Sequence, residues 1–177
     1  AYRGDLVVRN GRIANSGEKP SDGARTIDLK GAFVMPGLQD AHGHLQGLGA
    51  ALEEVDLFAA KSYAELIERV QRAAKGRKPG EWIVGRGWDQ NLWPDTSMPH
   101  HRDLSAATPD NPVWLVRVDG HAALANANAL AQGKLGKSSE APTGGEILRD
   151  GDGEPTGVLV DRAMALVPLP TPSVEAV

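Results

Sequence analysis

A chain of 177 residues, 41% hydrophobic and 24% charged, has room for one good core, or for one domain and part of another. A formal net charge of -4 without a basic block argues against nucleic acid as the main partner, and no apolar run approaches the roughly 20 residues of a membrane span. With no cysteine, thiolate-held zinc and disulfide frameworks are excluded; any metal must use His and carboxylate, and the composition fits a reducing compartment such as the cytoplasm.

Residues 5–14 read as a hairpin turning at Asn10-Gly11, where both positions favour positive φ. Residues 26–29 and 32–35 read as two further strands around a Lys30-Gly31 turn, together a small antiparallel sheet. The run Val34-Met35-Pro36-Gly37-Leu38-Gln39-Asp40-Ala41-His42-Gly43-His44 reads as a short buried strand ending in two histidines. Strand side chains alternate, so Asp40, His42 and His44 project to one side. Two imidazoles delivered together can begin a divalent-metal site, because neutral imidazole nitrogen binds zinc and similar ions well. Gly43 lets the backbone turn without an obstructing side chain. The bare pair is a weak signal; its flanking residues strengthen it.

Residues 45–60 read as a loop entering a short helix. The spacing predicts a helix over 62–75: Ser62 and Glu65 form a capping box, Leu66, Ile67, Val70, Ala73 and Ala74 share a face, and Gly76 is a suitable stop. Residues 82–88 form a strand with a glycine-flexed end, so strand, helix and strand make a βαβ unit and imply a parallel sheet. Residues 89–94 are a polar, indole-bearing loop. His100 and His101 adjoin, so on an extended chain they point apart and read as solvated loop residues. Residues 112–118 give a third strand, apolar enough to be covered on both faces. His121 falls just past its C-terminal end, on the rim of the sheet expected to carry His42 and His44. Residues 145–150 and 156–161 make a hairpin. Asp161 ends it and precedes a helical stretch, 162–167, where Asp is a favoured N-cap. Thr171-Pro172 opens another helix.

Four segments resemble the amidohydrolase superfamily: V-M-P-G-L-Q-D-A-H-G-H at 34–44, G-R-G-W-D-Q at 85–90, R-V-D-G-H-A-A-L-A-N at 117–126 and P-T-G-V-L-V-D-R-A-M at 155–164. They are most similar to its YtcJ-like group, which resembles N-substituted formamide deformylases. The resemblance implies the N-terminal part of a metal-dependent (β/α)8 TIM-barrel hydrolase, preceded by strands of a small β-sandwich. Residues 1–33 would belong to the sandwich and 34–177 to the barrel. A full barrel takes typically about 250 residues, so the chain is expected to belong to a longer enzyme, its catalytic carboxylate downstream of Val177.

By the same resemblance His42 and His44 are metal ligands for a divalent ion, zinc most simply. Asp161 stands where the resembled enzymes usually carry Glu, so ligand and helix cap both stay open for it. Trp88, Asp89 and His121 are implied substrate contacts. The implied reaction is hydrolysis of the C–N bond of a small amide or formamide by metal-activated water. The expected partner is that small molecule, with neither nucleic acid nor membrane; a homo-oligomer of the full-length enzyme stays open. The alternative is a non-catalytic binding or assembly module without a complete active site.

Overall fold

The computed structural model describes residues 4–14, 17–39, 43 and 45–170. Its backbone groups into two compact units, Ala1–His42 and Gly43–Val177. In the first, β1 (Val8–Arg9) pairs antiparallel with β2 (Arg12–Ile13). Asn10 and Gly11 both have positive φ, 50° and 74°, as the expected hairpin turn requires. The Lys30-Gly31 turn also forms, and Asp28 Oδ1 accepts from the Lys30 N–H at 2.8 Å. The two strands expected around it do not. Residues 26–29 and 32–39 are unpaired among the described residues, and Ile27, Phe33 and Leu38 are 66%, 82% and 90% exposed. An alternating apolar pattern becomes a strand only where a neighbour supplies ladder bonds and a surface to cover. The expected burial of the segment from Val34 therefore fails as far as Gln39, and Asp40, His42 and His44 lie outside the described residues.

The second unit begins with α1 (Leu45–Glu53) and β3 (Val55–Asp56), a helix and strand where a loop and short helix were expected. Then comes α2 (Tyr63–Ala74), the helix that the apolar spacing defines. Ser62 Oγ accepts from the Glu65 N–H at 3.1 Å, but Glu65 reaches back to Lys61 at 2.9 Å, one residue beyond a standard capping box. Gly76 follows at φ 94°, the left-handed stop that glycine favours. The remaining elements are β4 (Ile83–Trp88), α3 (His101–Ala107), β5 (Val113–Arg117), β6 (Ala122–Ala125), α4 (Ala127–Gln132), β7 (Gly145–Arg149) and β8 (Pro155–Asp161). Short 3-10 turns cover Gln90–Leu92 and Arg162–Leu166.

One six-stranded sheet joins the strands in the order β3-β4-β5-β6-β8-β7. β3, β4 and β5 are parallel, and the strand that precedes α2 is β3, within the stretch expected to be a loop and helix, rather than the expected strand from Val34. The other three pairings are antiparallel, a departure from a uniform βα repeat. β6 escapes sequence reading because Ala-Ala-Leu-Ala has little strand propensity. It forms because Gly120, at φ 78°, reverses the chain directly after β5.

Burial follows the two-residue period of the strands. Ile83, Val113, Leu115, Leu124 and Val158 pack with Leu66 and Val70 of α2 and Leu104 of α3. Their sequence neighbours Trp114, Ala123, Ala125 and Leu159 pack instead with Ala129 and Leu130 of α4 and Ala163. The sheet is thus covered on both faces, and its function-bearing groups are left at its ends and loops. No helix among the described residues is long and apolar enough to cross a membrane.

Candidate functional site at the sheet rim

The C-terminal ends of the parallel strands meet along one rim. Asp56 pairs with Arg86 and Trp88 with Arg117, so β3, β4 and β5 finish together. The N-terminal end of β6 and the C-terminal end of β8 reach the same level, because Ala122 pairs with Val160. The turn carrying His121 and the end residue Asp161 are therefore neighbours, although they are 40 positions apart in sequence. Such a rim is where parallel α/β sheets place ligands and chemistry.

His121 Nδ1 and Asp161 Oδ1 lie 2.8 Å apart. Both side chains are accessible, at 74% and 50% exposure. Backbone bonds frame the pair: the Asp161 N–H donates to the His121 carbonyl at 2.9 Å, and the His121 N–H donates to Asp119 Oδ1 at 3.0 Å. Asp161 has φ 46° and ψ -119°, a strained conformation for a residue with a side chain. It occupies the N-cap position before Arg162–Leu166 but makes no side-chain capping bond. The expected cap is thus replaced, since the carboxylate is turned to His121. The hydrogen bond and then the charge of Asp161, helped by Asp119, raise the pKa of His121 above its ordinary 6.5. A raised folded-state pKa means stabilisation that is fully present below pH 6.5 and fades as pH rises through the folded value. An NMR titration is expected to place the His121 midpoint above that of His121 in Asp161→Asn.

The other expected residues separate. Trp88 is fully buried in the core, and its indole N–H donates to the Leu115 carbonyl at 2.8 Å. Its ring stacks on Trp93, which stacks in turn on Tyr63. Asp89 is half-buried and caps the next turn, accepting from the Asn91 backbone N–H at 3.0 Å and side-chain amide at 2.8 Å. His100 and His101 do not point apart. α3 begins at His101, so their rings tilt together with centroids 4.9 Å apart, both half-buried. His101 Nδ1 is 2.8 Å from Ser105 Oγ, and burial followed by the charges of His100 and Arg102 lowers its pKa.

Sequence reading missed three rim residues. Phe58 follows β3, is 52% exposed, and lies so close to β4 that a Cβ on Gly87 would come within 2.5 Å of its ring. Arg86 reaches toward Gly120, and Arg117 pairs with Asp119 at 3.2 Å. The Arg117 Nε is buried without a hydrogen-bond partner among the described residues. The period-2 pattern of β4 and β5 could have placed both arginines at strand ends, but nothing local marks Phe58. Among the described residues no group of three His, Asp or Glu side chains could hold a metal ion. Among the described residues, the side-chain partner of Asp161 is His121.

A family model described as "Amidohydrolase family" matches residues 25–176. The chain is 34% identical over 149 residues to the putative amidohydrolase YtcJ of Bacillus subtilis (strain 168), covering 84% of this chain and 28% of that protein. It is 32% identical over 170 residues to the N-substituted formamide deformylase of Arthrobacter pascens, covering 92% and 31%. An uncharacterized metal-dependent hydrolase from Pyrococcus horikoshii OT3 superposes with a TM-score of 0.59 at 32% identity, over 91% of this chain and 31% of that one. The chain thus spans under a third of the length of these relatives. The chain belongs to the amidohydrolase family, with the YtcJ and N-substituted formamide deformylase proteins among its relatives.

Proposed function

We propose that this chain supplies the N-terminal part of a metal-dependent hydrolase that cleaves the C–N bond of a small N-substituted amide or formamide. The observation that carries this reading is the His121–Asp161 pair at the C-terminal rim of a partly parallel sheet, in a chain of the amidohydrolase family. In this reading 34–177 opens a (β/α)8 barrel, β3, β4 and β5 supporting it by their parallel pairing, and 1–33 contributes to a β-sandwich. Cysteine-free composition supports a cytoplasmic setting.

His42 and His44 are the proposed ligands, supported by their one-residue spacing, by imidazole's affinity for divalent ions and by the family match over residues 25–176. Between them they would hold a divalent ion, zinc most simply, which when bound would lower the pKa of water to about 7 and polarise a carbonyl. The chain's described residues bind and orient the substrate. His121 offers a polar contact at the rim, Phe58 an apolar one beside it, and Arg86 and Arg117 a local excess of hydrogen-bond donors. Asp89 acts through the turn it caps and shapes the loop after β4.

Calorimetric titration of the 177-residue chain with Zn2+ tests the ligand assignment. One site is expected, weakened by about 100-fold or more in His42→Ala and in His44→Ala. Equal affinity in all three proteins would remove both histidines from the metal site. Hydrolysis of N-substituted formamides by the full-length parent enzyme, lost on chelation and restored by zinc, is the matching test of the reaction.

A further inference from the structure

We propose that Asp161 is the positioning residue for His121, holding the imidazole by Nδ1 so that Nε2 is presented to the polar head of an amide-type substrate. The substrate class rests on the function proposed above; the positioning rests on geometry alone. An ionised carboxylate only accepts hydrogen bonds, so the 2.8 Å contact requires the proton on Nδ1. A neutral imidazole has one N–H, and Nε2 is left with its lone pair facing away from Asp161.

Surface ion pairs are commonly loose, and one contact between exposed groups would carry little. Here the partners are joined twice. Besides the side-chain bond, the Asp161 N–H donates to the His121 carbonyl at 2.9 Å, and Asp119 fixes the His121 N–H from the other side. The adjoining residues Ala122 and Val160 are paired in the β6–β8 ladder, so neither end of the clasp is a free loop. Asp161 forgoes the capping bond open to it and adopts a left-handed φ of 46° while doing so. Strain held at a residue that aims another side chain is the pattern of a preorganised site. Of the other charges near the imidazole, Asp119 and Arg117 are paired to each other at 3.2 Å, and Arg86 reaches toward Gly120.

The test is the tautomer of His121, read from 15N–1H imidazole correlations in the 177-residue chain at about pH 9, where the ring is neutral. The Nδ1–H form is expected in the wild-type protein, and a majority of the Nε2–H form in Asp161→Ala. The Trp88 indole resonance, held by the Leu115 carbonyl, reports that each protein is folded. An Nε2–H tautomer in the wild-type chain overturns the proposal, and so does an unchanged Nδ1–H form in folded Asp161→Ala. The wild-type spectrum decides the matter even where the variant does not fold. Zinc titration is a separate readout: the expected tautomer without metal binding would keep the positioning role and sink the metal-site reading, and the reverse result would do the opposite.

Discussion

Replacing Asn126 by alanine is expected to destabilise the chain by roughly 3–5 kcal/mol, among the largest effects available to one side chain. Asn126 is fully buried between β6 and α4, where an amide survives only if its hydrogen bonds are made. They are. Its Oδ1 accepts from the Val113 and Ala129 backbone N–H groups at 2.9 and 3.0 Å. Its Nδ2 donates to the Asn111 carbonyl at 2.8 Å and to Thr108 Oγ1 at 3.0 Å. One side chain thus starts β5, caps α4 and ties down the loop after α3. Alanine takes this partner from the Val113 and Ala129 N–H groups and the Asn111 carbonyl, each at about 1–3 kcal/mol before relaxation or water entry, while Thr108 Oγ1 keeps its bond to the Leu104 carbonyl. Asn126→Asp separates the two halves of the role, since it keeps the acceptor and removes the donor. It also sets a carboxylate against the Asn111 carbonyl, so it is expected to be no better than alanine at neutral pH and to improve as pH falls. Urea unfolding midpoints at unchanged slope are the measurement. A loss below about 1 kcal/mol in Asn126→Ala would show that water replaces the amide.

Gly157→Ala is expected to cost about 3 kcal/mol or more, although it adds a single methyl group. Two causes act together. Gly157 has φ 95°, a conformation that residues with a Cβ rarely adopt, and the new Cβ would lie 2.5 Å from the Ala125 carbonyl oxygen and 2.7 Å from His101 Cβ. The first neighbour is backbone of the adjacent strand, so β8 must separate from β6 to make room. That movement would also shift Asp161, four residues along the same strand. Gly157→Ala is therefore expected to perturb the His121 imidazole signals along with stability. Gly151→Ala is the control: nothing lies within 4 Å of its Cβ position, and a change within about 0.5 kcal/mol is expected. Equal midpoints for the two variants would mean that β8 accommodates a Cβ without strain.

Local chemistry was readable where neighbours in sequence decide the outcome. The Asn10-Gly11 turn, the Ser62 cap and the left-handed Gly76 each depend on a few adjacent residues, and each formed as expected. The expected strands over 26–29 and 32–35 did not form, because a strand depends on a ladder partner that its own residues cannot specify. His100 and His101 were misplaced for a related reason. The helix starting at His101 replaces strand alternation with helical rotation and brings the rings together. Trp88 shows the limit of motif reading: a tryptophan beside a functional segment can serve the pocket or the core, and only burial distinguishes them.

The family, the α2 helix and the residue types from which a metal site could be built were all legible in the chain's residues. These follow from short-range spacing, side-chain period and donor chemistry. Tertiary structure alone decided that the chain doubles back into antiparallel β6 and β8, that Asn126 is a buried hub, and that Asp161 turns from its helix to His121. Each of these joins residues distant in the chain, and the free energy of such contacts resides in packing and pairing that no local window contains.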